Sequence, residues 1–240
     1  MNCDKRLIVA LDFHNMEKVQ QLVEQLGDSV GYYKVGMELF YSVGSQVITY
    51  LRQKNKDIFL DLKLHDIPNT VGQGLAALTQ LGATMLNVHA PGGFTMMQTA
   101  AAAVKTKANE LQVERPKLIA VTVLTSMNRD EWSTLGYKVD LSQQVIHLAQ
   151  LAQKAGMDGV VASPQEAAQI RAVCGNEFMI ITPGIRPCGA AINDQSRIAT
   201  PAGALKNGAH HLVVGRPITA SSNPREAVED ILLEMRGKHE

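Results

Sequence analysis

Eight short apolar runs, separated by longer stretches with apolar residues at helical spacing, constrain the fold of this chain more than any other feature. The runs cover residues 7–11, 31–35, 58–62, 84–88, 118–124, 159–162, 178–182 and 211–214. Between them, segments 16–26, 43–53, 71–81, 95–108 and 141–155 repeat apolar residues three and four apart, and several end close to a glycine. Strands alternating with helices predict a parallel sheet, and runs that are apolar throughout predict strands covered on both faces. Eight such units in 240 residues fit one (β/α)8 TIM barrel over residues 1–240 better than an open doubly wound sheet. No Gly-x-Gly-x-x-Gly follows the first run, so nothing marks a dinucleotide site. Segments 127–140 and 183–200 are read as irregular. The second carries Arg186, Asp194, Gln195 and Arg197, and its length suits either a lid or a plain surface loop.

The chemistry is densest in Asp61-Leu62-Lys63-Leu64-His65-Asp66-Ile67-Pro68-Asn69-Thr70. Alternation along a strand would put Asp61 and Lys63 on one side, about 7 Å apart along the backbone. Asp66 follows where Pro68 turns the chain out of the strand. Charges beside Ile58, Phe59 and Leu60 must be paired, which leaves both a structural ion-pair network and a catalytic cluster open. In α/β barrels the active site lies at the carboxyl ends of the strands. Those ends here carry Asp12, Lys34, Asp61, Lys63, Asp66, His89, Thr125, Ser126, Pro183, Gly184, Gly215 and Arg216. Singly, Asp12 reads as a helix cap, Lys34 as a barrel lysine satisfied by neighbours and His89 as a hydrogen-bonded core histidine. Their convergence on one rim argues for a site. Gly215-Arg216 falls where barrels bind phosphate, with a glycine that lets backbone N–H groups approach and a guanidinium fork that grips two oxygens. Asp61, His65, Asp66 and His89 are potential metal ligands, but Lys63 between the carboxylates already neutralises them, so no metal is expected.

Twenty-three basic and 23 acidic residues leave no net charge, which removes the electrostatic reason to expect nucleic acid or an anionic membrane as partner. The apolar stretch near the N-terminus is too short for a signal-peptide core and no run approaches membrane-spanning length, so a soluble, cytoplasmic protein is expected. Cys3, Cys174 and Cys188 are scattered and odd in number, and are read as reduced thiols.

With these residues assembled, the chain closely resembles the orotidine 5'-phosphate decarboxylases, in their short bacterial form. The resemblance runs through residues 7–12, Tyr33-Lys34-Val35-Gly36, the 61–70 block, Asn87-Val88-His89-Ala90 and residues 121–126. It continues through 182–187, Asp194-Gln195 and 214–219. Related metal-using barrel enzymes that handle sugar phosphates share the Asp-x-Lys-x-x-Asp core, whereas Ile67-Pro68-Asn69-Thr70 singles out the decarboxylases. The resemblance implies conversion of orotidine monophosphate to uridine monophosphate, the last step of de novo pyrimidine nucleotide synthesis, without metal or organic cofactor. It implies Asp61 beside the substrate carboxylate, Lys63 as proton donor to C6, and Asp66 with Ile67 and Thr70 at a site shared across a homodimer. Asp12 and Lys34 would hold ribose hydroxyls, Thr125 and Ser126 the pyrimidine edge, and Arg186, Gln195, Gly215 and Arg216 the phosphate, with Pro183 also at the substrate site.

Three other readings compete. A metal-dependent sugar-phosphate lyase or synthase would share the core, and chelator would inhibit it. A Schiff-base aldolase using Lys34 or Lys63 needs a neutral amine, which flanking aspartates disfavour. A non-catalytic phosphate-binding barrel would bind ligand without turnover.

Overall fold

The computed structural model describes residues 3–187 and 197–237. In it the strand–helix alternation closes on itself. The strands are β1 (Leu7–Ala10), β2 (Tyr32–Gly36), β3 (Asp57–Leu64), β4 (Met85–His89), β5 (Lys117–Val121), β6 (Gly159–Val161), β7 (Met179–Thr182) and β8 (His211–Val214). They pair in sequence order, all parallel, and β8 returns to β1 through Leu7–Leu212, Ile8–Val213 and Val9–Val214. This is the (β/α)8 barrel that the periodicity predicts.

The helices are α1 (Met16–Leu26), α2 (Met37–Val43), α3 (Gln46–Gln53), α4 (Pro68–Thr79), α5 (Phe94–Leu111), α6 (Arg129–Thr134), α7 (Leu141–Lys154), α8 (Ala167–Cys174), α9 (Pro201–Lys206), α10 (Arg216–Thr219) and α11 (Pro224–Met235). Side-chain caps fix several starts: Asn15 accepts from the Lys18 N–H, Asp140 from Ser142 and Thr200 from Gly203. Pro68 sits in the first turn of α4, where its missing N–H costs no helical hydrogen bond. The segment read as one helix over 43–53 is two, because Gly44 at φ 67° ends α2 before α3 begins. Segment 127–140, read as irregular, contains α6, capped by Asn128; its Trp132 is buried, stacks on Tyr137 and donates its indole N–H to the Val139 carbonyl. A six-residue helix held by one indole leaves no repeating apolar period in sequence.

Two apolar layers result. The larger packs the outer faces of the strands against the helices. The smaller fills the barrel with inward residues, among them Ile8, Ala10, Tyr32, Phe59, Met85, Ile119, Val121, Ile181 and Val213. This inner packing forms the floor beneath the carboxyl rim. Gly159 marks its tightest point, since an added Cβ would collide with the Met179 carbonyl oxygen and lie 2.6 Å from the Met179 Cβ on the neighbouring strand. Backbone atoms inside a closed barrel cannot swing away. Gly159→Ala should therefore cost about 1–3 kcal/mol, lowering Tm by roughly 2–4 °C per kcal/mol; a thermal melt superimposed on the parent's would show that the barrel yields there.

Candidate active site

Three adjacent strands change character at the same height. Tyr32, Phe59 and Met85 point into the apolar interior, and two residues further along each strand, at the same face, stand Lys34, Asp61 and Asn87. The period of two thus replaces an apolar layer with a polar one just below the rim. Lys34 Nζ lies 3.1 Å from Asp12 Oδ1 and 3.4 Å from Asp61 Oδ2, and Lys63 Nζ lies 2.8 Å from Asp61 Oδ1. Four charges therefore alternate in one chain, Asp12–Lys34–Asp61–Lys63. Burial pulls the Lys34 pKa down, but the Asp61 and Asp12 carboxylates outweigh it and the net shift is upward. Gly36 leaves the space for this arrangement, because a Cβ there would come within 2.9 Å of the Lys34 ammonium.

Lys63 reaches Asp61 by a route that simple alternation does not predict. Between the pairs Leu60–Leu86 and Leu64–Val88, β3 advances four residues while β4 advances two, so β3 bulges. Lys63 takes φ 51° in this bulge. The strand also runs on to Leu64 rather than stopping at residue 62. Asn87 faces the bulge, accepting from the Lys63 backbone N–H at 2.8 Å and donating to Asp61 Oδ1 at 2.7 Å. Asn87 was not among the residues singled out from the sequence. The available signal is a polar residue at the inward position that follows Met85.

The remaining candidates ring the same end of the barrel, Gly215 so close that an added Cβ would lie 3.5 Å from Asp12 Oδ2. Asp66 is exposed and caps its own neighbour, accepting from the Ile67 N–H at 2.7 Å. Ile67 is 67% exposed, and Thr70, in the first turn of α4, is also exposed. Beyond β5, Thr125 is buried and Ser126 exposed. Past β7, Pro183 is half-buried and Arg186 is buried with Nη1 donating to the Ile185 carbonyl. Gly215 closes β8 and caps α10, which starts at the exposed Arg216. Asp194, Gln195 and Cys188 lie outside the described residues. The base of that segment is fixed on both sides by a parallel bridge between Ile185 and Ala199. Arg197 forms a buried ion pair with Glu166 and donates to the Leu124 carbonyl, so Glu166 is a second residue the sequence did not flag. Burial raises the Glu166 pKa, with the Arg197 guanidinium opposing it.

His65 and His89 face each other with ring centroids 5.4 Å apart. Burial lowers the His89 pKa, and the His65 and Lys63 charges add to that shift, so its imidazole stays neutral near pH 7. Among the described residues, no three His, Cys, Asp or Glu side chains are placed to share a metal ion, and no helix is long and apolar enough to cross a membrane.

The fold and site together define a closed (β/α)8 barrel with a network of alternating charges at its carboxyl end. The model of the Orotidine 5'-phosphate decarboxylase / HUMPS family matches residues 5–231, and the chain belongs to that family. It is 50% identical to the orotidine 5'-phosphate decarboxylase of Carboxydothermus hydrogenoformans, over 97% of each chain. Identity is 49% to that of Saccharophagus degradans, over 97% of this chain and 95% of the relative. Among solved structures, orotidine 5'-phosphate decarboxylase from Lactobacillus acidophilus superposes with a TM-score of 0.85 at 42% identity, covering 97% of this chain and 99% of that one.

The raised Lys34 pKa has a consequence for stability. A lysine stabilised in its charged form contributes fully below its unfolded pKa of about 10.4, and the contribution is lost as pH rises through the higher folded value. Lys34→Met should therefore flatten the alkaline fall in unfolding free energy by up to about 1.4 kcal/mol per pH unit above pH 10. Urea titrations of parent and variant between pH 9 and 12 read this difference, and parallel curves would mean that Lys34 is not held as an ion.

Proposed function

We propose that this chain decarboxylates orotidine 5'-phosphate to uridine 5'-phosphate, with Lys63 delivering the proton, as the last step of pyrimidine nucleotide synthesis. The observation that carries the reading is the Lys63 ammonium, fixed 2.8 Å from Asp61 at the rim of a barrel that belongs to this family. The substrate carboxylate would meet the Asp61 carboxylate, so that binding of the remote phosphate and ribose works against like-charge repulsion at the reacting end. The C6–carboxylate bond breaks, CO₂ leaves, and the electron pair stays on C6 in an orbital that the ring cannot delocalise. An ammonium about 4 Å away stabilises that pair by roughly 4 kcal/mol at an effective dielectric near 20. A proton then moves from Lys63 Nζ to C6, and solvent later restores the ammonium.

In this reading Asp12 and Lys34 hold ribose hydroxyls, and Thr125 with Ser126 holds the pyrimidine edge. Arg186, Gln195, Gly215 and Arg216 take the phosphate, and Pro183 lines the substrate site. Neither metal nor organic cofactor takes part. The ion pair of Lys63 with Asp61 suits a proton donor, and the carboxylates beside Lys34 favour its charged form and oppose a Schiff base there. Loss of orotidine 5'-phosphate followed by ultraviolet absorbance, with and without chelator, tests the reaction; no absorbance change would refute it, and abolition by chelator would favour a metal-dependent sugar-phosphate enzyme. Lys63→Ala should lower kcat by more than about a hundredfold while uridine 5'-phosphate still binds; turnover within tenfold of the parent would assign the proton to another group.

A homodimer with shared sites also forms part of the proposal. The exposed run Asp66, Ile67 and Thr70 supports it, since a large aliphatic side chain beside an aspartate at the rim suits contact with a second copy. Each site would join Lys63 of one protomer to an aspartate from the other. Lys63→Ala and Asp66→Ala homodimers should then both be nearly inactive, whereas unfolding and refolding them together should restore about a quarter of parental activity, half of the dimers carrying one intact site. Absence of recovery after verified subunit exchange would place Lys63 and Asp66 in the same chain's site.

A further inference from the structure

The proposed reaction accounts for Asp61 and Lys63 but not for the backbone conformation of Lys63. Its φ of 51° lies in the left-handed region, which side chains with a Cβ avoid. Among the described residues, the two other non-glycine residues with positive φ, Asn55 and Gln112, lie just past helices α3 and α5, where such a conformation commonly ends a helix. Lys63 is instead inside a strand. A strained residue persists only where its surroundings over-determine it.

Here one buried side chain bonds the Lys63 backbone directly. Asn87 is 1% exposed, and its amide makes two contacts. Oδ1 accepts from the Lys63 backbone N–H at 2.8 Å, and Nδ2 donates to Asp61 Oδ1 at 2.7 Å. The same Asp61 oxygen receives Lys63 Nζ at 2.8 Å. A ring closes: backbone of Lys63, amide of Asn87, carboxylate of Asp61, ammonium of Lys63. The amide orientation is determined, because a peptide N–H only donates and an ionised carboxylate only accepts. No other small side chain supplies both a donor and an acceptor at this reach; an aspartate would present a second carboxylate to Asp61, and an apolar residue would leave the buried N–H unpaired.

We propose that Asn87 is a positioning residue for the proton-transfer step, holding the Lys63 backbone in its left-handed turn and, through Asp61, holding its ammonium at one place. The inference rests on the reading of Lys63 as proton donor. Asn87 touches neither the proposed phosphate nor the proposed ribose contacts, so it acts on kcat rather than on nucleotide affinity.

The test compares the parent with Asn87→Ala and Asn87→Asp, each measured for turnover of orotidine 5'-phosphate and for binding of uridine 5'-phosphate. Asn87→Ala should lose about tenfold to a hundredfold in kcat while product affinity stays within about threefold. Asn87→Asp is nearly isosteric and places a carboxyl among Asp61 and Lys63 on β3, Lys34 on β2 and His89 on β4. In its protonated form that carboxyl can again donate to Asp61, so kcat of this variant should rise as pH falls across a range where the parent is flat. Equal losses in kcat and product affinity, or a pH profile parallel to the parent's, would overturn the proposal. If Asn87→Ala fails to fold, the Asn87→Asp profile decides. If the parent does not turn over orotidine 5'-phosphate, the proposed function fails, and a crystal structure of Asn87→Ala, which lacks the acceptor oxygen, still judges the placement: Lys63 keeping positive φ and its contact with Asp61 would show that Asn87 does not hold it.

Discussion

The Asp61 carboxylate is the point on which the site depends. It lies almost wholly out of solvent and is approached by two ammonium groups on different oxygens, Lys34 on Oδ2 and Lys63 on Oδ1. A buried ion is costly unless its partners and hydrogen bonds are in place, and here the amide of Asn87 completes the set. Removing any one partner leaves an uncompensated charge at the rim. The barrel contributes by making these partners neighbours: β2, β3 and β4 are adjacent and parallel, so residues two places beyond an apolar inward position fall together in space.

Lys34 and Lys63 differ despite sharing Asp61. Lys34 stands on regular strand backbone between an exposed carboxylate, Asp12, and a buried one, Asp61, which its departure would leave with one fewer counter-charge. Lys63 has one carboxylate partner and stands on a bulge, where its backbone is set by a side chain from the next strand. In the proposed reaction the two cations have different tasks, Lys34 maintaining the electrostatic environment and Lys63 exchanging the proton.

Much of this was legible in the sequence. The barrel follows from eight apolar runs at regular spacing, and Lys34, Asp61 and Lys63 follow from charged residues at strand ends, because both signals are local and periodic. What escaped is not periodic. The bulge at Lys63 inserts residues into one strand only, so alternation gives the correct side but the wrong path. Asn87 reads as one polar residue in a buried strand until the neighbouring bulge is known, and Glu166 acquires a meaning only when Arg197, 31 positions later in the chain, folds onto it. The short helix after Asn128 is stabilised by an indole reaching the Val139 carbonyl, a contact without a pattern.

The apolar floor of the barrel limits traffic as well as shape. Below Lys34, Asp61 and Asn87 the interior is filled by Tyr32, Phe59, Met85, Ile119 and Ile181, of which Tyr32 alone carries a polar group, its hydroxyl hydrogen-bonded to Thr84. In the proposed reaction, a lysine that gives up its proton at the rim stands on this apolar floor and is recharged from the mouth of the barrel. Substrate, carbon dioxide, nucleotide product and replacement proton then share one doorway. Whatever closes that doorway during the reaction must open it again before the next proton can arrive.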